Sequence, residues 1–222
     1  MPPRLIAYNT AMDTLWSECI YTEARLQKDP LAAAHAPAFD ALAQRAVDTK
    51  RAQQGCWREE IIAQAGVDAA DDRLDDRTEG LSEELLRAVK GDRKAARYTR
   101  YFKQGPPSSV VKLGVESQVA VVNDWPASLK TEAEPAVQAH GTGLETDVAV
   151  AKAELAARSK AFAATADHRA REIVKLVDDV NAARLSVYGL LVGLVEPNKL
   201  PRAWPDRFFR KESREKKAAG VG

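Results

Sequence analysis

Leu5, Tyr8, Met12, Leu15, Cys19, Thr22 and Leu26 follow one another at spacings of 3, 4, 3, 4, 3 and 4. A helix can turn residues of that period toward one neighbour as a single seam; a strand, whose side chains alternate with period two, cannot. The stepping returns twice later in the chain. Leu144, Val148, Ala151, Leu155, Arg158 and Phe162 form one series, and Ile173, Leu176, Val180, Ala183, Val187, Leu190 and Leu194 form another. Seams of this kind pack long helices at shallow angles. The expected fold is therefore all-α, an antiparallel bundle of about six helices with heptad-patterned long members.

The breaks divide the chain. DPLAAAHAP at 29–37 ends the first helix with two prolines. A second helix is expected from Pro37, where a first-turn proline is tolerated, to about Ala65. Phe39, Leu42, Ala43, Ala46 and Val47 begin its apolar face, and Trp57, Ile61 and Ile62 end it, while Lys50, Gln53 and Gln54 leave the middle polar. A third helix carries Leu74, Leu81, Leu85 and Ala88, with Gly91 as its stop. QGPPSS at 104–109 is the strongest break. The valine-rich stretch up to Pro126 reads as helix, with strand as the alternative, and GTG at 141–143 weakens or starts the next helix.

The chain has few aromatic residues, 6% in all, yet two short segments concentrate them among arginines. RKAARYTRYFK at 93–103 and LPRAWPDRFFR at 200–210 each come after an apolar helix and a break, and finish RYFK and RFFR. The spacing suggests an internal duplication. One helical half would span 1–104, and a second, 108–211, would pack on it in one bundle; 212–222 would be a disordered basic tail. On that reading the aromatics cap the bundle. The alternative makes both segments interaction motifs, with Arg97, Arg100, Tyr101, Phe102, Trp204, Arg207, Phe208, Phe209 and Arg210 as the contact residues.

Charge adds little. The formal net charge is +1, so no global field gathers nucleic acid, and none is expected as a partner. The region from Lys199 onward is basic, with eight Lys or Arg against three Asp or Glu. The run at 68–84 holds eight carboxylates and two arginines, without the spacing of a calcium loop. The most apolar stretch, 185–195, has eleven residues where a bilayer span needs about twenty.

His35, His140 and His168 have no Glu three residues before them, the spacing used by di-iron bundles. Neither a nucleophile elbow nor a glycine-rich phosphate loop is present. No catalytic residue, cofactor, metal or small-molecule substrate is accordingly expected. MPPRLIAYNT lacks a secretory pattern, so a reducing cytoplasm with Cys19 and Cys56 as free thiols is expected. The expected function is a non-enzymatic scaffold or protein-interaction module with a protein partner or a second copy. A membrane-active, pore-forming-like bundle, loosened at Gly189 and Gly193, is the alternative, and an unrecognised metal-binding helical protein comes after it.

Overall fold

The computed structural model describes residues 2–103 and 105–210. Every regular element among them is helical. In order these are α1 (Met12–Gln27), α2 (Pro37–Ala88), α3 (Ala96–Phe102), α4 (Ser108–Val111), α5 (Val115–Val122), α6 (Trp125–Leu129), α7 (Pro135–His168) and α8 (Val174–Val195). The valine-rich stretch is thus α4 and α5, not a strand. No helix among the described residues is long and apolar enough to cross a membrane. The expected tail at 212–222 lies outside the described residues.

The chain divides into two compact units, Met1–Gly55 with Thr165–Gly222, and Cys56–Ala164. That division differs from the expected halves, 1–104 and 108–211. The reason is α2, 52 residues long, where the sequence suggested two helices. Gly66 does not break it. Gly66 is a notch instead: a Cβ there would collide with the Glu154 carboxylate, so the missing side chain lets Glu154 of α7 lie across α2. The helix ends where the sequence places its stop. Gly91 adopts φ +83°, and its N–H donates to the Leu86 carbonyl at 2.8 Å.

In the first unit, Met12, Leu15, Cys19, Thr22 and Leu26 of α1 are all buried, as their 3-4 stepping requires. They pack with Phe39, Ala43 and Ala46 of α2 and with Leu176, Val177, Val180 and Leu191 of α8. The helix starts later than the seam suggested. Leu5 and Tyr8 are exposed and precede it. The Asn181 side chain holds that leading segment instead: its Oδ1 accepts from Ile6 N–H at 2.8 Å, and its Nδ2 donates to the Ile6 carbonyl at 3.0 Å. One amide satisfies both backbone groups that a helix would otherwise have paired.

A π-helical turn, Arg169–Ile173, joins α7 to α8, so 135–195 is helical throughout. GTG is therefore inside α7 rather than at its start. A π turn holds more residues than an α turn and rotates the helix beyond it about its axis. The two expected seams are followed only in part: Phe162 and Leu190 face solvent, and Arg184 is buried beside the expected seam position, Ala183.

The second unit pairs the later part of α2 with α7. Val67, Ala70, Leu74, Leu81 and Leu85 of α2 bury against Val137, Leu144, Val148 and Ala151 of α7, closed by Val115, Val119 and Val122 of α5. Gly141 lets α6 approach α7; a Cβ there would come 2.9 Å from Leu129 Cβ and 3.1 Å from the Lys130 nitrogen.

Candidate functional site

Both basic aromatic segments turn their rings inward. In the second unit, Tyr98, Tyr101 and Phe102 project from α3 into the core with Trp125. Tyr98 and Phe102, four residues apart, stack at 5.1 Å, and Trp125 meets Phe102 edge-on at 5.2 Å. The phenol groups are satisfied as buried hydroxyls must be: Tyr98 Oη lies 3.0 Å from Ser82 Oγ, and Tyr101 donates to Glu132 Oε1 at 3.0 Å.

The arginines of this segment are tied within the unit. Arg97 donates from Nε to Glu132 Oε2 at 2.6 Å and grips both carboxylate oxygens of Glu134. Arg100 reaches Glu132 Oε1 only at 3.5 Å and stays mostly exposed. Burial is the first cause that raises the Tyr101 phenol above its usual range, with Glu132 adding to it.

In the first unit, Trp204, Phe208 and Phe209 are buried. Trp204 donates from Nε1 to Asp29 Oδ2 at 3.1 Å and packs edge-on against Phe208 at 5.0 Å. Phe209 lies under a guanidinium: Arg184 Cζ is 5.2 Å from its ring centroid. Arg207 is exposed, and its carbonyl accepts from Arg25 Nε at 3.1 Å. Arg210 places its guanidinium 5.2 Å from the Tyr21 ring centroid. The aromatic members of the candidate set are thus core residues, and Arg97 and Arg210 have intramolecular partners.

Arg184 itself was not legible as a site residue. Its NH1 donates to Glu18 Oε2 at 3.1 Å, and both side chains are almost wholly buried. Burial pulls the guanidinium below its usual range, while Glu18 opposes that shift. Cys19, next to Glu18, is pushed up to about 11 by burial, which keeps it a thiol rather than a nucleophile. Cys19 and Cys56 are both free thiols.

The second unit also carries an open cavity of about 330 Å³ lined by Arg73, Asp76, Arg77, His140 and Asp147. Two helix-interior glycines shape it reciprocally. Gly80 of α2 makes room for the His140 ring, 3.1 Å from where a Cβ would stand, and Gly143 of α7 makes room for the Arg77 guanidinium. Arg77 Nε donates to Asp147 Oδ2 at 2.8 Å. Burial first, and Arg77 second, depress the His140 imidazole below its usual range. Two arginines face two aspartates here, so the lining is charge-balanced beside a neutral ring. Among the described residues no group of three or more His, Cys, Asp or Glu could hold a metal ion.

Several large apolar side chains remain uncovered. Trp57 and Ile61, at adjacent turns of α2, are 49% and 70% exposed, and Phe162 of α7 is 52% exposed. The sequence reads the first two as the end of a buried face; the structure places them outside the core, which begins at Val67. The contacts of Gly66 with Glu154, of Gly143 with Arg77 and of Gly80 with His140 share one antiparallel register, which brings Phe162 level with the turn carrying Trp57. No family model, no curated protein and no solved structure matches this chain.

Proposed function

We propose that this chain is a non-enzymatic, cytoplasmic protein-interaction module that binds its partner through the exposed apolar side chains of its long helices. The exposure of Trp57 and Ile61 on one face of α2 carries the reading. Side chains four residues apart share a helix face, and a tryptophan left half in water beside an isoleucine is a contact surface of the kind that anchors interfaces. The basic aromatic segments serve this role indirectly, by holding each unit's core together.

The test is affinity purification from the protein's own cells, comparing wild type with a Trp57→Ser, Ile61→Ser, Phe162→Ser variant. All three positions are exposed, so far-UV circular dichroism should be unchanged. Proteins recovered with wild type, further copies of the chain included, should be lost with the variant. Equal recovery by both, or recovery by neither, rejects the reading.

A further inference from the structure

We infer that the partner is a second copy of this chain, joined by antiparallel pairing of α2 with α2 about a two-fold axis level with Glu59. This rests on the reading of the Trp57 face as an interaction surface and adds the identity of what covers it.

The argument is the order of residues along that face. Lys50, Gln54, Trp57, Ile61, Gln64 and Asp68 step by 4, 3, 4, 3 and 4, a seam separate from the buried one. It runs roughly 27 Å at about 1.5 Å per residue. All six are at least partly exposed. The seam is basic at one end, apolar at the centre and acidic at the other, with a glutamine between each end and the centre.

A helix complementary to this face must read acidic, Gln, apolar, apolar, Gln, basic alongside it. The face read backwards is that helix. With the axis level with Glu59, Trp57 meets Ile61 of the second copy, Gln54 meets Gln64, and Lys50 meets Asp68, each contact occurring twice as a two-fold interface requires. Parallel pairing would set Lys50 on Lys50 and Asp68 on Asp68, which is repulsive.

The polar members can serve both chains. Lys50 Nζ already donates to Asp13 Oδ1 at 2.6 Å, yet an ammonium has three donors. Gln64 donates to Asp68 Oδ1 at 2.7 Å, which holds that carboxylate in place.

Sedimentation equilibrium of the full chain, from low micromolar to about 1 mM, should show a monomer–dimer equilibrium. Trp57→Ser with Ile61→Ser should abolish the dimer while leaving circular dichroism unchanged. Lys50→Glu and Asp68→Lys should each weaken it about tenfold, and an equimolar mixture of the two should recover it. In a Cys56→Ser background, Gln54→Cys mixed with Gln64→Cys should give the mixed disulfide on mild oxidation.

A chain that stays monomeric throughout overturns the inference. So does a dimer indifferent to Trp57 and Ile61, or one whose Gln54→Cys variant cross-links only to itself. A monomeric chain whose co-purifying proteins still depend on Trp57 and Ile61 would sink the self-pairing and leave the proposed function standing.

Discussion

Arg184 NH1 lies 3.1 Å from Glu18 Oε2 in the core of the first unit, and the Phe209 ring lies beside the same guanidinium. A residue of α8, one of α1 and one from the C-terminal segment are thereby fixed by a single buried charge. Removing one member of such a pair strands the other. Arg184→Leu or Glu18→Leu alone should therefore lose about 3–5 kcal/mol in urea denaturation. The double variant, Glu18→Leu with Arg184→Leu, leaves no orphan charge and should recover most of that loss. Additive single effects would show that the two side chains are not coupled.

The rings of RYFK and RFFR occupy the cores of different units. Phe102 and Phe209 are both buried and each contacts further aromatics. Truncating a buried phenylalanine removes its transfer energy and leaves a cavity, at about 3–5 kcal/mol. Phe102→Ala and Phe209→Ala should each lower the melting temperature substantially and to a similar extent. An unchanged melting temperature for Phe209→Ala would show that the segment does not close the first core.

The seam of α1 was legible from Met12 onward because its period is local and its positions are buried together. The exposure of Leu5 was not, since it depends on Asn181, distant in sequence. The helical class was equally legible, while the continuity of α2 was hidden by Gly66, whose role appears only with Glu154 beside it. Arg184 is buried where the seam read from the sequence has Ala183, because the buried face of α8 steps through Val177, Val180, Arg184, Val187 and Leu191. The apolar pairs Leu176–Val177 and Leu190–Leu191 fit either phase, so the apolar pattern alone did not choose between them. The aromatic concentration at 98–102 and 204–209 was visible, but the partners of Arg97 lie at Glu132 and Glu134. Periodicity showed that Trp57 and Ile61 share a face. It carries no information on whether a neighbour covers that face.

His140 gives the fold an acid-sensitive point. Its folded pKa is depressed by burial and by Arg77, so the unfolded chain binds the proton more readily. Stability linked to this group is complete above the ordinary histidine value of about 6.5 and is lost as pH falls below it toward the folded value. The melting temperature should therefore drop between about pH 7 and pH 5, and His140→Asn should flatten that part of the profile. Asp71 works with the opposite sign. Burial, then Asp75, Asp72 and Asp68, raise its carboxyl above the usual range, so ionisation opposes folding as pH rises through the folded value. Asp71→Asn should raise the melting temperature at neutral pH and change it less near pH 4. A gain that is equal at both pH values would rule out charge repulsion as its cause.

The glycines inside the long helices should separate by sign. Alanine is favoured over glycine in a helix interior by about 1 kcal/mol, so the outcome depends on what the new methyl meets. At Gly55 of α2 nothing stands within 4 Å, and Gly55→Ala should stabilise by most of that amount. At Gly141 of α7 the methyl would meet Leu129 Cβ at 2.9 Å and two backbone atoms, the Lys130 nitrogen and the Pro126 carbonyl, each at 3.1 Å. Backbone cannot swing aside, so α6 must move away from α7, and overpacking of this kind typically costs about 1–3 kcal/mol. Gly141→Ala should be destabilising. Gly143→Ala falls between the two, because its methyl would meet the Arg77 guanidinium, the mobile end of a long side chain. Arg77 can retreat, at the expense of its ion pair with Asp147. Denaturation midpoints should rank Gly55→Ala above wild type and Gly141→Ala below it, with Gly143→Ala between the two variants; a stabilised Gly141→Ala would show that α6 does not pack against α7 at that glycine.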